Sequence, residues 1–172
     1  MLEQKLKESF DSYPDFPIDG ILFRDVLTVL REPNLFKDLI EEMSKIDAII
    51  QADALVAIDA RGFIFGTGIA VLLNKPMILA RKPGKLPGEL KEKSYELEYG
   101  KNSLSIQKES LEQFQTYVIV DDLLATGGTV RCVSDILQES GKDVLGLSVL
   151  IELSGLNAKS RFDFPVDSQI SY

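Results

Sequence analysis

The sequence predicts an α/β fold with a central, mainly parallel β-sheet flanked by helices. Short apolar runs that suit strands buried on both faces recur at residues 54–58, 76–80, 117–120 and 144–153. Segments with the apolar spacing of helices lie between these runs, and such alternation is typical of a parallel sheet with helices on its faces. The length of 172 residues suits one domain with a sizeable core.

The first third of the chain predicts two helices separated by a loop and a short strand. Residues 1–10 have helical apolar spacing, and two prolines and a glycine within residues 13–20 predict an ordered loop. Residues 21–25, an apolar run followed by Arg-Asp, predict an edge strand that ends in a surface ion pair. Residues 34–50 predict a single amphipathic helix, for which Asn34 is a candidate cap.

The segment between residues 81 and 100 differs from the rest of the chain. It follows a predicted strand and is rich in lysine, proline and glycine. A polar connection of this length is usually a functional lid or disordered, so we expect a mobile loop. Residues 103–106 alternate like a strand, and residues 162–172 contain apolar side chains without a pattern that predicts an element.

The segment from residue 117 to 129 carries the strongest functional signal. An apolar strand is followed by Asp121 and Asp122, then by the small-residue turn 125–129 and a helix that stops near Gly141. A turn at a helix N-terminus offers free N–H groups and the positive end of the helix dipole to a phosphate. Adjacent carboxylates are costly unless a cation or sugar hydroxyls engage them. The pattern favours a phosphorylated ribose over a strand–turn–helix that binds nothing.

Composition excludes several other classes of protein. The formal net charge of −8 argues against a nucleic-acid-binding protein. With no histidine and one cysteine, the chain has no intrachain disulfide or histidine-based relay, and Cys132 suits packing. No apolar run approaches 18 residues, and the charged N-terminal segment is unlike a signal peptide. We expect a cytoplasmic protein with neither membrane nor nucleic acid as a partner.

These segments resemble the adenine phosphoribosyltransferase family over nearly the whole chain. Residues 117–129 resemble the phosphoribosyl-pyrophosphate (PRPP) motif that all type I phosphoribosyltransferases share. The segments that point to adenine are 14–17 with 20–25, 61–63, 81–82 with 84–88, and 97–101. The chain departs from the family at Ile18 and Asp19, where Lys-Pro is frequent, and at Ala60, which is serine in some members. The C-terminal tail matches nothing in the family pattern and receives no role.

The resemblance implies a type I phosphoribosyltransferase fold in a single domain over residues 1–172. It implies a small N-terminal hood, residues 1–30, that binds the base, and a flexible catalytic lid, residues 82–100. The family transfers phosphoribose from PRPP to adenine, giving AMP and pyrophosphate for purine salvage. Members use Mg²⁺ and are typically homodimers.

The resemblance also implies roles for individual residues. PRPP would be held at its 5′-phosphate and ribose by Asp121, Asp122, Ala125, Thr126, Gly127, Gly128 and Thr129. Pyrophosphate would be held by Ala60, Arg61, Gly62, Arg81, Lys82 and Lys85, and adenine by Leu22, Phe23 and Arg24. Glu98 would be the catalytic acid/base at the imidazole ring of the purine, with Tyr99 packing over the closed site. Mg²⁺ would be held mainly through PRPP, with Asp121 and Asp122 as candidate ligands.

Three other functions remain compatible with these motifs. The first is the same transfer to another base, such as xanthine or a pyrimidine. The second is a PRPP-binding regulator without turnover, which an acidic chain without a spare DNA-binding segment disfavours. The third is an interaction domain that retains a vestigial phosphate site.

Overall fold

The computed structural model describes residues 1–97 and 100–172. Its N-terminal part contains α1 (Leu2–Ser9), β1 (Asp11–Pro14), β2 (Leu22–Asp25) and a 3₁₀ helix (Val26–Arg31). The next part contains α2 (Pro33–Met43), α3 (Asp47–Gln51), β3 (Ala54–Ile58), α4 (Gly62–Leu73) and β4 (Met77–Ala80). Then follow β5 (Leu90–Leu97), β6 (Gly100–Gln107), α5 (Lys108–Glu112), β7 (Thr116–Leu124), α6 (Gly128–Glu139) and β8 (Asp143–Glu152). Two 3₁₀ turns (Ser154–Leu156 and Ala158–Arg161) precede β9 (Val166–Ser171).

The central sheet confirms the predicted fold class. Its five strands are all parallel and follow the order β4-β3-β7-β8-β9. Strand β3 is buried along its whole length, because one face of the sheet carries α6 and the other carries α2 and α4. Burial on both faces accounts for the uninterrupted apolar runs in the sequence. Two antiparallel pairs, β1-β2 and β5-β6, lie outside this sheet.

The single helix predicted over residues 34–50 is wrong. The structure divides it into α2 and α3, with Ser44 at the break. The Ser44 hydroxyl donates to the Ile40 carbonyl oxygen at 2.7 Å, a local bond that competes with helix continuation. Asn34 is not the cap, because Glu32 takes that position and Pro33 begins the helix.

Strand boundaries also differ from the sequence prediction. Strand β7 continues to Leu124, so Asp121 and Asp122 lie within a strand and not beyond its end. The expected loop over residues 81–100 contains β5, which pairs with β6 as a hairpin. The unassigned tail forms the edge strand β9. The predicted strand at residues 103–106 is confirmed as part of β6.

Arg24 and Asp25 take separate partners, and the expected surface ion pair between them is wrong. Asp25 caps the following 3₁₀ helix, since its Oδ1 accepts from the Leu27 N–H at 3.0 Å. The Arg24 guanidinium carbon lies 3.9 Å from the centre of the ring of Tyr172, which follows β9. The N-terminal strands are therefore joined to the C-terminal end of the sheet.

Candidate active site

A pocket of about 430 Å³ opens at the carboxyl ends of β3 and β7. These strands are parallel neighbours, so the loops that follow them meet at one edge of the sheet, where α/β proteins bind ligands. The pocket is lined by residues 58–61, 121–130, Lys82, Tyr95 and Asn102. The structure thus brings together two loops that are 60 residues apart in the chain.

The turn at residues 125–129 leads directly into α6. Gly127 is the N-terminal cap of this helix and has φ of +85°, a backbone conformation that side chains strongly disfavour. Gly128 is the first helical residue, so the free N–H groups of the first turn adjoin the pocket. Positive helix-end charge and small side chains together make this turn suited to a phosphate.

Residues of the segment between β8 and β9 contact the turn at residues 125–129. Arg161 Nη1 donates to the Thr126 carbonyl oxygen at 2.9 Å. Arg131 Nη1 in turn donates to the Arg161 carbonyl oxygen at 3.1 Å. The Phe162 ring lies so close to Gly127 that a Cβ there would approach it to 3.1 Å. The segment after β8 therefore helps to fix the shape of the turn.

Asp121 and Asp122 are both buried, with 8% and 5% of their surface exposed. Asp121 Oδ1 accepts the Asp122 N–H at 2.9 Å. Burial, followed by the neighbouring Asp122 charge, raises the pKa of Asp121 well above its usual range. Burial also raises the pKa of Asp122, although the Arg61 charge opposes that change. A pair of buried carboxylates is therefore costly to ionise without further positive charge or donors.

Arg61 is the nearest cation to this pair. Its Nε lies 2.8 Å from Asp122 Oδ2, which is ion-pair distance. The angle does not suit a hydrogen bond, and Asp122 Oδ2 accepts none from the described residues. Asp122 Oδ2 thus has Arg61 beside it and can still accept a hydrogen bond from a ligand.

The loop after β3 lies against the acidic strand. A Cβ on Gly62 would lie 2.8 Å from the Val120 carbonyl oxygen and 3.0 Å from Asp121 Oδ1, so this close approach requires glycine. The peptide bond between Asp59 and Ala60 is cis. Ala60, Arg61 and Lys82 all line the pocket. These three residues were predicted to hold pyrophosphate, and the structure brings them together.

Arg81 and Lys85, predicted for the same role, do not line this pocket. The Arg81 Nε contacts Asp59 Oδ2 at 3.2 Å, and its guanidinium lies 5.6 Å from the centre of the Phe63 ring. Arg81 Nη1 also contacts the Lys85 carbonyl oxygen at 3.4 Å. Arg81 therefore forms an ion pair with Asp59 and contacts the loop that follows β3.

A smaller, apolar pocket of about 150 Å³ adjoins the first one. Both pockets share Arg61, Asp122 and Leu123 as a common wall. The predicted base-binding residues Leu22, Phe23 and Arg24 line the smaller pocket, together with Ile21, Val26, Ile151, Leu153 and Tyr172. Its apolar lining suits a flat aromatic ligand next to the phosphate-binding turn.

The hairpin β5-β6 supplies residues that the sequence analysis missed. Tyr95 and Asn102 are opposite each other in the hairpin, and both line the larger pocket. Lys93 anchors the hairpin to α6 through Asp135 Oδ2 at 3.1 Å and through Glu139. The alternation of side chains between the two faces of a strand, at residues 90–97 and 100–107, could have indicated Tyr95 and Asn102. It was not used because residues 81–100 were predicted to be a loop.

Glu98 and Tyr99 lie outside the described residues, so their predicted roles stay predictions. Leu123, Ile151, Leu153 and Tyr172 were also missed as pocket residues. The position of Leu123 directly after Asp121 and Asp122 could have indicated that it lies near the site. For Tyr172 the sequence contains no signal, because its contact depends on where β9 joins the sheet.

A parallel sheet with an anion-binding turn after an acidic strand, and a facing loop with arginine, defines the phosphoribosyltransferase class. The model of the phosphoribosyl transferase domain matches residues 25–167. An adenine phosphoribosyltransferase from Prochlorococcus marinus is 58% identical over 172 residues, with 100% of each chain covered. One from Butyrivibrio fibrisolvens is 41% identical, over 96% of this chain and 92% of that one.

Solved structures agree with these relatives. The adenine phosphoribosyltransferase of Thermoanaerobacter pseudethanolicus has a TM-score of 0.90 and 38% identity, with 99% of each chain covered. The enzyme from Saccharomyces cerevisiae, complexed with an imino-altritol bisphosphate and adenine, has a TM-score of 0.86 and 33% identity, with 98% of each covered. The chain belongs to the adenine phosphoribosyltransferase family, and its fold is the type I phosphoribosyltransferase fold.

Proposed function

We propose that the protein is a pentosyltransferase that moves phosphoribose from PRPP to adenine, giving AMP and pyrophosphate in purine salvage. The family assignment supports this reaction. The observation that carries it is the common wall of the two pockets. A sugar phosphate in the larger pocket and a purine in the smaller one would meet at Arg61, Asp122 and Leu123. Bringing two reactants together in this way removes much of the entropic barrier.

The larger pocket has a suitable group for each part of PRPP. The backbone N–H groups of residues 125–129, with the hydroxyls of Thr126 and Thr129, would hold the 5′-phosphate. Asp121 and Asp122 would accept hydrogen bonds from the ribose hydroxyls, which would satisfy the free Asp122 Oδ2.

Loss of pyrophosphate requires stabilisation of negative charge on the leaving group. Arg61 and Lys82 line the same pocket as the turn at residues 125–129 and would hold the diphosphate there. Arginine can bind two phosphate oxygens at once, and lysine acts as a point charge. Positive charge that develops on the ribose ring would lie near the Asp121 and Asp122 carboxylates, which would stabilise it.

The smaller pocket favours adenine over 6-oxopurines. A pocket for guanine or hypoxanthine would require a free cationic donor for the 6-oxo group. The two arginines that line this pocket have other roles in this proposal: Arg24 contacts the Tyr172 ring, and Arg61 lies at ion-pair distance from Asp122 and would bind the diphosphate. Backbone N–H and carbonyl groups of Leu22 to Arg24 can pair with the adenine edge, and Phe23 offers an aromatic face.

We propose Mg²⁺ as the cofactor, held mainly through the PRPP oxygens with Asp121 and Asp122 as contributing ligands. Within residues 1–97 and 100–172, no group of three or more acidic, histidine or cysteine side chains could hold a metal. Mg²⁺ is commonly bound by one or two carboxylates plus substrate phosphates, which fits the free Asp122 Oδ2. When bound, it would neutralise charge on the diphosphate.

We propose that the segment 82–100 closes over the bound substrates as a lid and that residues 1–30 form a base-binding hood within a single domain. In this proposal Glu98 exchanges a proton with the imidazole ring of the purine, and Tyr99 covers the site. Closure would exclude water, which would otherwise hydrolyse PRPP. The position of Tyr95 at the pocket supports a role of this hairpin in covering the substrate.

We also propose a cytoplasmic homodimer. Val71, Leu72 and Ile50 are 77%, 49% and 57% exposed, and Lys75 Nζ lies 3.3 Å from the Ile50 carbonyl oxygen, which joins the two helix ends. A partner subunit could cover these apolar side chains. Within the part of the chain that the structure describes, none of the helices has the length and apolar character needed to cross a membrane.

The deciding experiment is incubation of the protein with Mg²⁺, PRPP and one base at a time, followed by chromatography of the products. We expect AMP from adenine and far less product from hypoxanthine, guanine, xanthine or a pyrimidine. Faster turnover of another base would show that the specificity is wrong. Absence of product with every base would contradict the enzyme assignment.

A further inference from the structure

The Tyr172 ring lies where the hood meets the base pocket. It lines the smaller pocket together with Leu22, Phe23 and Arg24. The Arg24 guanidinium carbon is 3.9 Å from the centre of the ring, which is contact distance for a cation stacked on an aromatic face. Lys7 of α1 lies 5.4 Å from the same centre. The ring therefore contacts both α1 and β2.

The backbone of Tyr172 is fixed independently of this stack. Its N–H donates to the Glu152 carbonyl oxygen at 2.9 Å. Its own carbonyl oxygen accepts from the Ser154 N–H at 2.8 Å and from the Ser154 hydroxyl at 2.7 Å. These bonds fix the backbone that carries the ring at the carboxyl end of the sheet, independently of Arg24.

The strand that carries Arg24 has few other constraints. Strand β2 has four residues and pairs with β1, which is exposed throughout. A two-stranded ribbon is marginally stable by itself, so contacts with the core decide where its side chains lie. Stacking on Tyr172 is such a contact, made at the residue next to Phe23 in the pocket wall.

We infer that Tyr172 is a positioning residue for the base pocket: by stacking on Arg24 it holds Leu22 to Arg24 against the sheet and so determines affinity and selectivity for the purine. This inference rests on the proposed reaction. The stack also keeps the Arg24 guanidinium from serving as a free donor for a 6-oxo group. Loss of the ring would therefore weaken adenine binding and reduce the preference for adenine over hypoxanthine.

The test compares Tyr172→Leu with Tyr172→Phe, which keeps the ring, and with Ser171→Ala, a matched change at the exposed neighbour in β9. KM for adenine is measured at saturating PRPP, and KM for PRPP at saturating adenine. We expect Tyr172→Leu to raise the adenine KM about tenfold, as loss of a partly desolvated cation–π contact would. The PRPP KM should stay within about twofold, and the other two variants should resemble the wild type.

Arg24→Met removes the same contact from the other side, so it tests the inference even if Tyr172→Leu folds poorly. The single changes and the double change should each raise the adenine KM by a similar factor, since both break one contact. An unchanged adenine KM in Tyr172→Leu, an equal rise in the PRPP KM, or factors that multiply in the double variant would overturn the inference. Wild-type AMP formation, measured in parallel, reports separately on the proposed reaction.

Discussion

Gly62 offers the sharpest test of how the two halves of the phosphate pocket fit together. It begins α4, and its Cα faces the backbone of β7. In Gly62→Ala, the new Cβ would lie 2.8 Å from the Val120 carbonyl oxygen and 3.2 Å from the Asp121 Cα. The contacted atoms belong to the backbone of the central strand, so they cannot move aside as a flexible side chain can.

Two opposing effects determine the stability of this variant. Alanine is favoured over glycine in a helix by about 0.5–1 kcal/mol, which alone would stabilise the protein. Overpacking in a closely packed region costs about 1–3 kcal/mol. We therefore expect net destabilisation of about 1–2 kcal/mol, which for a chain of this size lowers Tm by roughly 2–8 °C. Displacement of Asp121 should also lower turnover, since a misplacement of about 1 Å can cost up to about 10²-fold.

Thermal unfolding and steady-state rates measure both effects. Gly155→Ala is the matched control, because Gly155 lies in a short 3₁₀ turn and has no atom within 4 Å of an added Cβ. We expect its Tm and turnover to equal those of the wild type. If Gly62→Ala is as stable and as active as Gly155→Ala, then the loop and strand do not need this close approach.

Four further predictions test other parts of the site. Replacing both Asp121 and Asp122 by asparagine keeps their size but should abolish turnover across a Mg²⁺ titration, whereas near-normal rates would show that the pair has no role in the reaction. In Gly128→Val a side chain would occupy the 5′-phosphate volume, so PRPP affinity measured by calorimetry should fall more than about tenfold, or about 1.4 kcal/mol, and unchanged affinity would contradict the phosphate site. Glu98→Gln should lower turnover by about 10²–10⁴ with little change in PRPP affinity, and normal turnover would exclude acid/base catalysis by Glu98. Burial raises the pKa of the Cys132 thiol to about 11, so the thiol should stay protonated and resist iodoacetamide at pH 8 until guanidinium unfolds the protein, and rapid alkylation of the folded protein would contradict its burial.

Local pattern was sufficient to predict the inner strands of the sheet and the turn that precedes α6. Strand β3 and residues 117–120 of β7 are buried on both faces, so their sequences are apolar without interruption. The turn at 125–129 combines a helix start with glycine, and Gly127 indeed needs its positive φ. In these cases the residues that determine the structure are neighbours in the chain.

Features that depend on distant residues were not predictable from such patterns. Strand β5 was predicted as part of a loop because residues 81–100 are rich in lysine, proline and glycine, whereas its partner β6 was recognised from residues 103–106, where Leu104 and Ile106 are buried in the core. The pyrophosphate role of Arg81 stays a prediction, but its contact with Asp59, 22 residues earlier in the chain, was not predictable from the local pattern. Likewise, nothing near Tyr172 in the sequence indicates its contact with Arg24.

The central place of β7 in the sheet has a consequence for hydrogen exchange. Residues 117–120 of β7 pair with β3 on one side and with β8 on the other, so we expect their amides to exchange with solvent only when the sheet itself opens. The hairpin that carries Tyr95 belongs to a separate two-stranded pair, whose amides can open in a smaller cooperative unit. We therefore expect slower exchange at residues 117–120, which precede the acidic pair, than at the hairpin residues that cover the pocket.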